Sequence, residues 1–141
     1  METINDLINT LNNKGLRKTK LRILLLKILL KNKEPLSVED IVKKIIKNKF
    51  KSNKTSIYRQ LFVLKNEKII KEIQLGENKK RYEIFSDSHH HHLVCLDCGD
   101  IQDIEAEKDL CFLEKKINQE KKFKVEYHLL EFFGRCLKCN Y

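Results

Sequence analysis

The stretch TSIYRQLFVLKNEKIIKEIQLGENKKRYEIF, residues 55–85, changes its hydrophobic pattern part-way along. Over 55–66 the apolar residues Ile57, Leu61 and Leu64 recur at helical spacing, and Asn53 or Thr55 supplies an N-cap. Beyond that, IIKEIQL and KRYEIF flank Gly-Glu-Asn and read as two strands joined by a glycine-containing turn. A helix running straight into a hairpin is the second half of a winged helix-turn-helix.

The residues upstream complete that reading. KLRILLLKILLK, residues 20–31, is too short to span a membrane and long enough for a buried helix. Pro35 breaks the chain there, and Ser37 caps the next helix with Asp40 three residues on. Its apolar positions are Val38, Ile41, Val42, Ile45 and Ile46. An earlier helix is predicted over 2–13. In a winged helix-turn-helix the helix before the hairpin enters the DNA major groove, which here means residues 55–66.

Downstream, the polar run Ser-Asp-Ser at 86–88 reads as a hinge between a first domain, 1–85, and a second, 89–141. The second domain predicts a strand through LVCL, another near DIQDI and a helix over 107–121 with Leu110, Leu113 and Ile117 inward. A last strand is predicted over KVEYHLLEFF, residues 124–133. The expected class is α+β, a winged helix-turn-helix followed by a small α/β unit.

Charge divides at the same place. Residues 1–82 carry 21 Lys+Arg against 8 Asp+Glu, a net of +13, whereas 83–141 carry 8 against 12, a net of −4. A cationic surface repels itself unless a polyanion neutralises it, so the first half is expected to meet double-stranded nucleic acid. METINDLINT lacks the charged-then-apolar order of a secretory leader and there is no run of about 18 apolar residues, so a cytoplasmic protein without membrane partners is expected.

In a reducing compartment, five cysteines suggest metal ligands or redox thiols rather than disulfides. Cys95-Leu-Asp-Cys98 and Cys136-Leu-Lys-Cys139 are two C-x-x-C knuckles, which together supply the four thiolates of a tetrahedral structural zinc site. Such a shell leaves no open position for water or substrate, and closing it contributes on the order of 10 kcal/mol. A thioredoxin-like dithiol is the competing reading. Cys111 stands apart as a lone thiol.

His89, His90, His91 and His92 precede the first knuckle, and with His128 they are all the histidines present. On an extended segment His90 and His92 face one way and His89 and His91 the other, giving two half-sites. Glu83 and Asp103 are candidate oxygen donors. His128 either completes one face or packs as a core histidine beside Leu130 and Phe132. Imidazoles suit zinc, iron, nickel or manganese.

Five elements together resemble the ferric uptake regulator family over nearly the whole chain. They are GLRKT at 15–19, LSVEDI at 36–41, TSIYR at 55–59, HHHHLVCLDCG at 89–99 and YHLLEFFGRCLKC at 127–139. The resemblance implies a homodimeric, metal-dependent repressor with a C-terminal dimerisation and metal-binding domain, no catalytic residues and no small-molecule substrate. It implies DNA contacts at Tyr58 and Arg59, with Thr55 and Ser56 in the same element and Arg17 and Arg22 as backbone or minor-groove contacts. It implies a sensing site at Glu83, His90 and His92, and a third site at His89, His91 and His128, to which the alignment adds Cys111.

The chain departs from the family pattern in three places. Pro35 stands where many iron-type members have a histidine, leaving Glu34 or Glu72 as replacements. Cys111 falls where a glutamate is common, and Leu21 where a proline usually precedes Arg22. The lost histidine and the all-histidine run favour the zinc-uptake branch slightly over iron, with a manganese- or peroxide-sensing member as alternatives. Outside the family, a zinc-dependent hydrolase would use similar residues but leaves the basic half unexplained. A metal-buffering protein would not need Tyr58 and Arg59 before a wing.

Overall fold

The computed structural model describes residues 3–32, 34–74, 79–85, 91–104, 107–126, 128, 130 and 131–140, with the side chains of 107–109 and 111 left out. It separates into two compact units, residues 1–86 and 87–141. The predicted hinge at 86–88, the Gly-Glu-Asn turn, His89 and His90 lie outside the described residues.

Unit 1 opens with α1 (Ile4–Asn13), where Thr3 and Asp6 form a reciprocal capping box, and α2 (Lys20–Lys31), whose Thr19 side chain accepts from the Arg22 amide. β1 (Leu36–Ser37) leads into α3 (Val38–Lys47), capped by Ser37, and Asn53 caps α4 (Lys54–Asn66). β2 (Ile70–Gln74) and β3 (Lys80–Ile84) form the predicted hairpin. β1 adds to its far edge, giving the order β1-β3-β2 with Leu36 opposite Tyr82 and Ser37 opposite Arg81. That two-residue strand was not predicted.

The helix ends fix how the chain leaves each helix. After α4, the Lys68 amide donates to the Lys65 carbonyl and the Ile69 amide to Leu64, with Lys68 at φ 54°. The same pair of bonds closes α3 through Lys49 and Phe50, and α1 through Gly15 and Leu16. In each case an apolar residue follows the left-handed one, the arrangement that ties a helix end to the core. Glycine serves this purpose once; twice a lysine does, at about 1–2 kcal/mol of backbone strain and with its charge at the negative end of the helix dipole. For α4 the result is a sharp exit in which Ile69 and Ile70 are buried and β2 begins.

Leu11, Leu25, Leu26, Ile41, Ile57, Leu61 and Leu64 are essentially inaccessible and form the core of unit 1. Each contributes about 1.5–3 kcal/mol of burial, which holds α4 by its inner face and leaves its outer face to solvent.

Unit 2 is built on β4 (His91–Cys95), flanked by antiparallel β5 (Ile101–Ile104) and parallel β6 (Glu131–Gly134), with α5 (Glu107–Lys121) in the crossover. Two expectations are corrected. Among the described residues the last strand runs only over 131–134, because β4 offers a parallel edge just from His92 to Cys95. Leu113 is 49% exposed rather than inward. Together with Phe112, Phe123, Phe132 and Phe133, also exposed, it makes the surface of unit 2 unusually apolar for a single copy.

Candidate functional site

The cysteine knuckles follow from strand geometry. β4 ends at Cys95, and a tight turn brings the Gly99 amide back to the Cys95 carbonyl (3.0 Å), with Gly99 at φ 72°, a conformation that favours glycine. At the other end of the chain β6 runs beside β4 in register, Cys95 opposite Gly134, and the Leu96 amide donates to the Gly134 carbonyl (2.8 Å). The second knuckle therefore emerges beside the first. Arg135 clamps Asp97 across the gap at 3.1 Å.

The sulfurs of Cys95, Cys98, Cys136 and Cys139 all lie within 4.8 Å of one another. Cys98 Sγ and Cys136 Sγ are 3.7 Å apart. A disulfide requires about 2.05 Å, whereas zinc–sulfur bonds of about 2.3 Å in a tetrahedron give edges of about 3.8 Å. The donor set therefore fits zinc, and a dithiol within one knuckle would leave the meeting of all four sulfurs unexplained. Electrostatics agree: amide hydrogens from Cys136, at 3.3 Å, and Cys98 lower the Cys95 thiol to about 6. Sharing a proton with Cys98 and then Cys136 pushes Cys139 up to about 12. Four thiolates this close ionise together only around a cation.

His91 and His92 open β4 just before the knuckle, and its neighbours define two faces. His92 lies between Asp103 on β5 and Glu131 on β6 in register, with Nε2 3.8 Å from Asp103 Oδ1. Burial raises the Glu131 carboxyl above its ordinary range, against the pull of His92. On the opposite face the His91 and His128 rings are 5.2 Å apart, and His128 Nδ1 is 2.7 Å from Glu114 Oε1 on α5. His128 is thus a member of a polar cluster rather than an isolated core residue. Glu114 stands, with Glu107, near Cys111 where the family pattern has a glutamate; Glu131 was not singled out from sequence, and a carboxylate within the apolar LLEFF run was the available signal for it. The Cys111 side chain lies outside the described residues.

Within unit 1, Glu34 is exposed, while the candidate glutamates Glu83 and Glu72 are held by lysines. Glu83 is buried and its Oε1 is 2.7 Å from Lys71 Nζ, its partner across the hairpin. Glu72 meets Lys65 at 3.2 Å and Lys80 at 3.1 Å and accepts a hydrogen bond from the Tyr82 hydroxyl. Burial raises the Glu72 carboxyl, but those lysines outweigh it and hold it below its ordinary value.

Thr55, Tyr58 and Arg59 are exposed on α4, and Arg17 is exposed just before α2; Ser56 is half-buried, its amide donating to Asn53 Oδ1. Arg22 requires a correction. It is 7% exposed, its Nε donates to Gln60 Oε1 on α4 (2.9 Å) and its NH1 to the Arg17 carbonyl (2.6 Å). Its guanidinium is engaged inside the fold, tying α2 to α4, because the first turn of α2 packs against α4 rather than facing outward.

Residues 13–133 match the ferric uptake regulator family. The ferric uptake regulation protein of Bacillus subtilis (strain 168) is 34% identical over 118 residues, 81% of this chain and 78% of that protein. The chain belongs to the ferric uptake regulator family. The peroxide-responsive repressor PerR of Staphylococcus saprophyticus is 29% identical over 137 residues, covering 97% of this chain and 91% of its own. The structure of the Helicobacter pylori ferric uptake regulator Fur superposes with a TM-score of 0.81 at 26% identity, covering 99% of this chain and 95% of that one.

Members of the ferric uptake regulator family are metal-responsive transcription regulators, not enzymes, so this chain is neither a hydrolase nor a simple metal buffer. Among the described residues no helix is long and apolar enough to cross a membrane.

Proposed function

We propose that the chain is a cytoplasmic, homodimeric repressor that binds palindromic operator DNA when a regulatory divalent metal is bound. α4 enters the major groove, with Thr55, Ser56, Tyr58 and Arg59 facing the duplex and Arg17 on its backbone; Arg22 holds α4 in place. The apolar surface of unit 2 carries the dimer contact. Cys95, Cys98, Cys136 and Cys139 hold a structural zinc. The observation that carries the reading is the strand β4, which joins this closed sulfur shell to histidines on two faces.

On the first face, His90 and His92 with Glu83, Asp103 and Glu72 form the sensing set; Glu83 and Glu72 would each have to exchange a lysine for the cation. On the second, His89, His91 and His128 form the third set, where Glu114 takes the place assigned to Cys111. The Helicobacter pylori relative is described as having three functional metal binding sites, consistent with this division. Zinc is the proposed signal, since Pro35 removes a family ligand and the remaining donors are rich in imidazole nitrogen. Iron(II) or manganese is the second reading, favoured by the two carboxylates beside His92 and by relatives named for iron and peroxide.

An electrophoretic shift assay at buffered free metal tests both, using protein that retains its tightly bound zinc. Operator binding that rises with one added metal supports the switch and names the metal. Equal binding with and without added metal would remove it.

A further inference from the structure

The outer face of α4 carries more than the residues assigned above. Phe62 is 61% exposed and Tyr58 49%. They lie four residues apart, so their side chains are neighbours on one helix face. Ile57, Leu61 and Leu64 fill the core side, and Phe62 takes no part in it. The two rings, with Arg59, Gln60 and Val63, line a shallow surface groove. Lys54, four residues before Tyr58 on the same helix, and Arg59 beside it are both exposed. An apolar ring set among cations is a poor seat for a second copy of the same surface, because like charges would meet. It suits the major groove, whose phosphate rims are anionic and whose floor presents one apolar group, the thymine C5-methyl.

We propose that Phe62 is a specificity-determining residue that packs on a thymine methyl in the operator, beside a second thymine met by Tyr58. This rests on the DNA-binding reading above. Four residues advance a helix by about 6 Å, and base pairs rise about 3.4 Å each, so the two thymines are about two base pairs apart in each half-site.

The test uses full-length protein saturated in turn with zinc and with manganese. Duplexes are selected from a random pool, and each thymine of the selected half-site is then replaced by deoxyuridine, which removes only the methyl. Fluorescence anisotropy compares wild type, Tyr58→Ala, Phe62→Ala and Phe62→Leu. In wild type, two replacements about two base pairs apart should each weaken binding about fourfold, the worth of one buried methyl. Phe62→Ala should become indifferent to one of them and Tyr58→Ala to the other. Phe62→Leu should stay sensitive, and neither Phe62 variant should change the salt dependence, since no phosphate contact is lost. Circular dichroism should show Phe62→Ala melting with wild type, as the ring is outside the core.

An unchanged thymine profile in Phe62→Ala would overturn the proposal. So would unchanged DNA binding accompanied by lost self-association, which would make the ring a protein contact. If wild type selects no sequence with either metal, the DNA-binding reading itself falls, and that outcome is visible before any substitution is made.

Discussion

Arg22 separates a contact from a scaffold, and substituting it distinguishes the two. Its guanidinium donates to Gln60 and to the Arg17 carbonyl from a position 7% exposed. Hydrogen bonds from a charged donor contribute about 1.5–3 kcal/mol each. Removing the buried charge relieves part of that, because burial disfavours the charged form and lowers the Arg22 pKa. Arg22→Ala is therefore expected to destabilise the α2–α4 packing by about 2–4 kcal/mol, lowering amide-exchange protection there about thirtyfold to several hundredfold. Arg22→Lys should recover little, since a single ammonium cannot reproduce two bonds set in the guanidinium fork. Hydrogen–deuterium exchange over Leu25–Leu29 and Ile57–Leu64 reads this directly. Weaker operator binding should accompany it, with the salt slope unchanged. If both variants keep full protection while the slope of log K against log salt flattens by about 0.9 per lost phosphate contact, Arg22 lies on the DNA backbone and the scaffold argument is wrong.

Cys136→Ser is expected to abolish retention of tightly bound zinc through chelator dialysis, measured by elemental analysis, and to shift sedimentation toward monomer; unchanged zinc content would exclude the four-sulfur shell. At the start of α3, the Ser37 hydroxyl donates to Asp40 Oδ2 at 2.6 Å and, with the Ser37 backbone amide, holds that carboxyl below its ordinary value near 3.8. A lowered folded pKa contributes stability above the unfolded value and loses it as pH falls through the folded one. Asp40→Asn should therefore destabilise near neutrality, and in urea titrations its difference from wild type should fade as pH drops below about 4.

Much of unit 1 was legible because its signals are local. Ser37 and Asp40 announce α3, Asn53 precedes α4, and the switch from helical to strand patterning after Asn66 marks the wing. Each depends on residues three or four apart, within reach of one helical turn. What the sequence did not disclose depends on partners far along the chain. β1 is two residues long and shows no alternation; it exists because Tyr82 and Arg81 offer it an edge. Arg22 reads as one more surface cation until Gln60, far away in sequence, arrives beside it. Leu113 reads as inward because its spacing is helical, yet spacing says only which residues share a face and not whether the same copy covers it.

The metal ligands divide along the same line. The cysteine shell was readable since each knuckle is a local turn and only the meeting of two had to be inferred. The histidine faces were readable as alternation and Asp103 as a nearby oxygen donor, but which carboxylate meets which histidine was not. Glu131 and Asp103 reach His92 through strand register, and Glu114 reaches His128 from α5. Glu83 and Glu72, chosen for their place in the sequence, turn out to be neutralised by lysines of their own hairpin and helix. A cation recruiting Glu83 competes with an ammonium 2.7 Å away, so its net gain is the difference between two ion pairs rather than one. In the proposed switch that difference, not the number of ligands, sets how strongly metal biases the wing, because a ligand shifts an equilibrium only by its differential affinity for the two states. In that proposed switch, the lysines against Glu83 and Glu72 raise the metal concentration at which the protein responds.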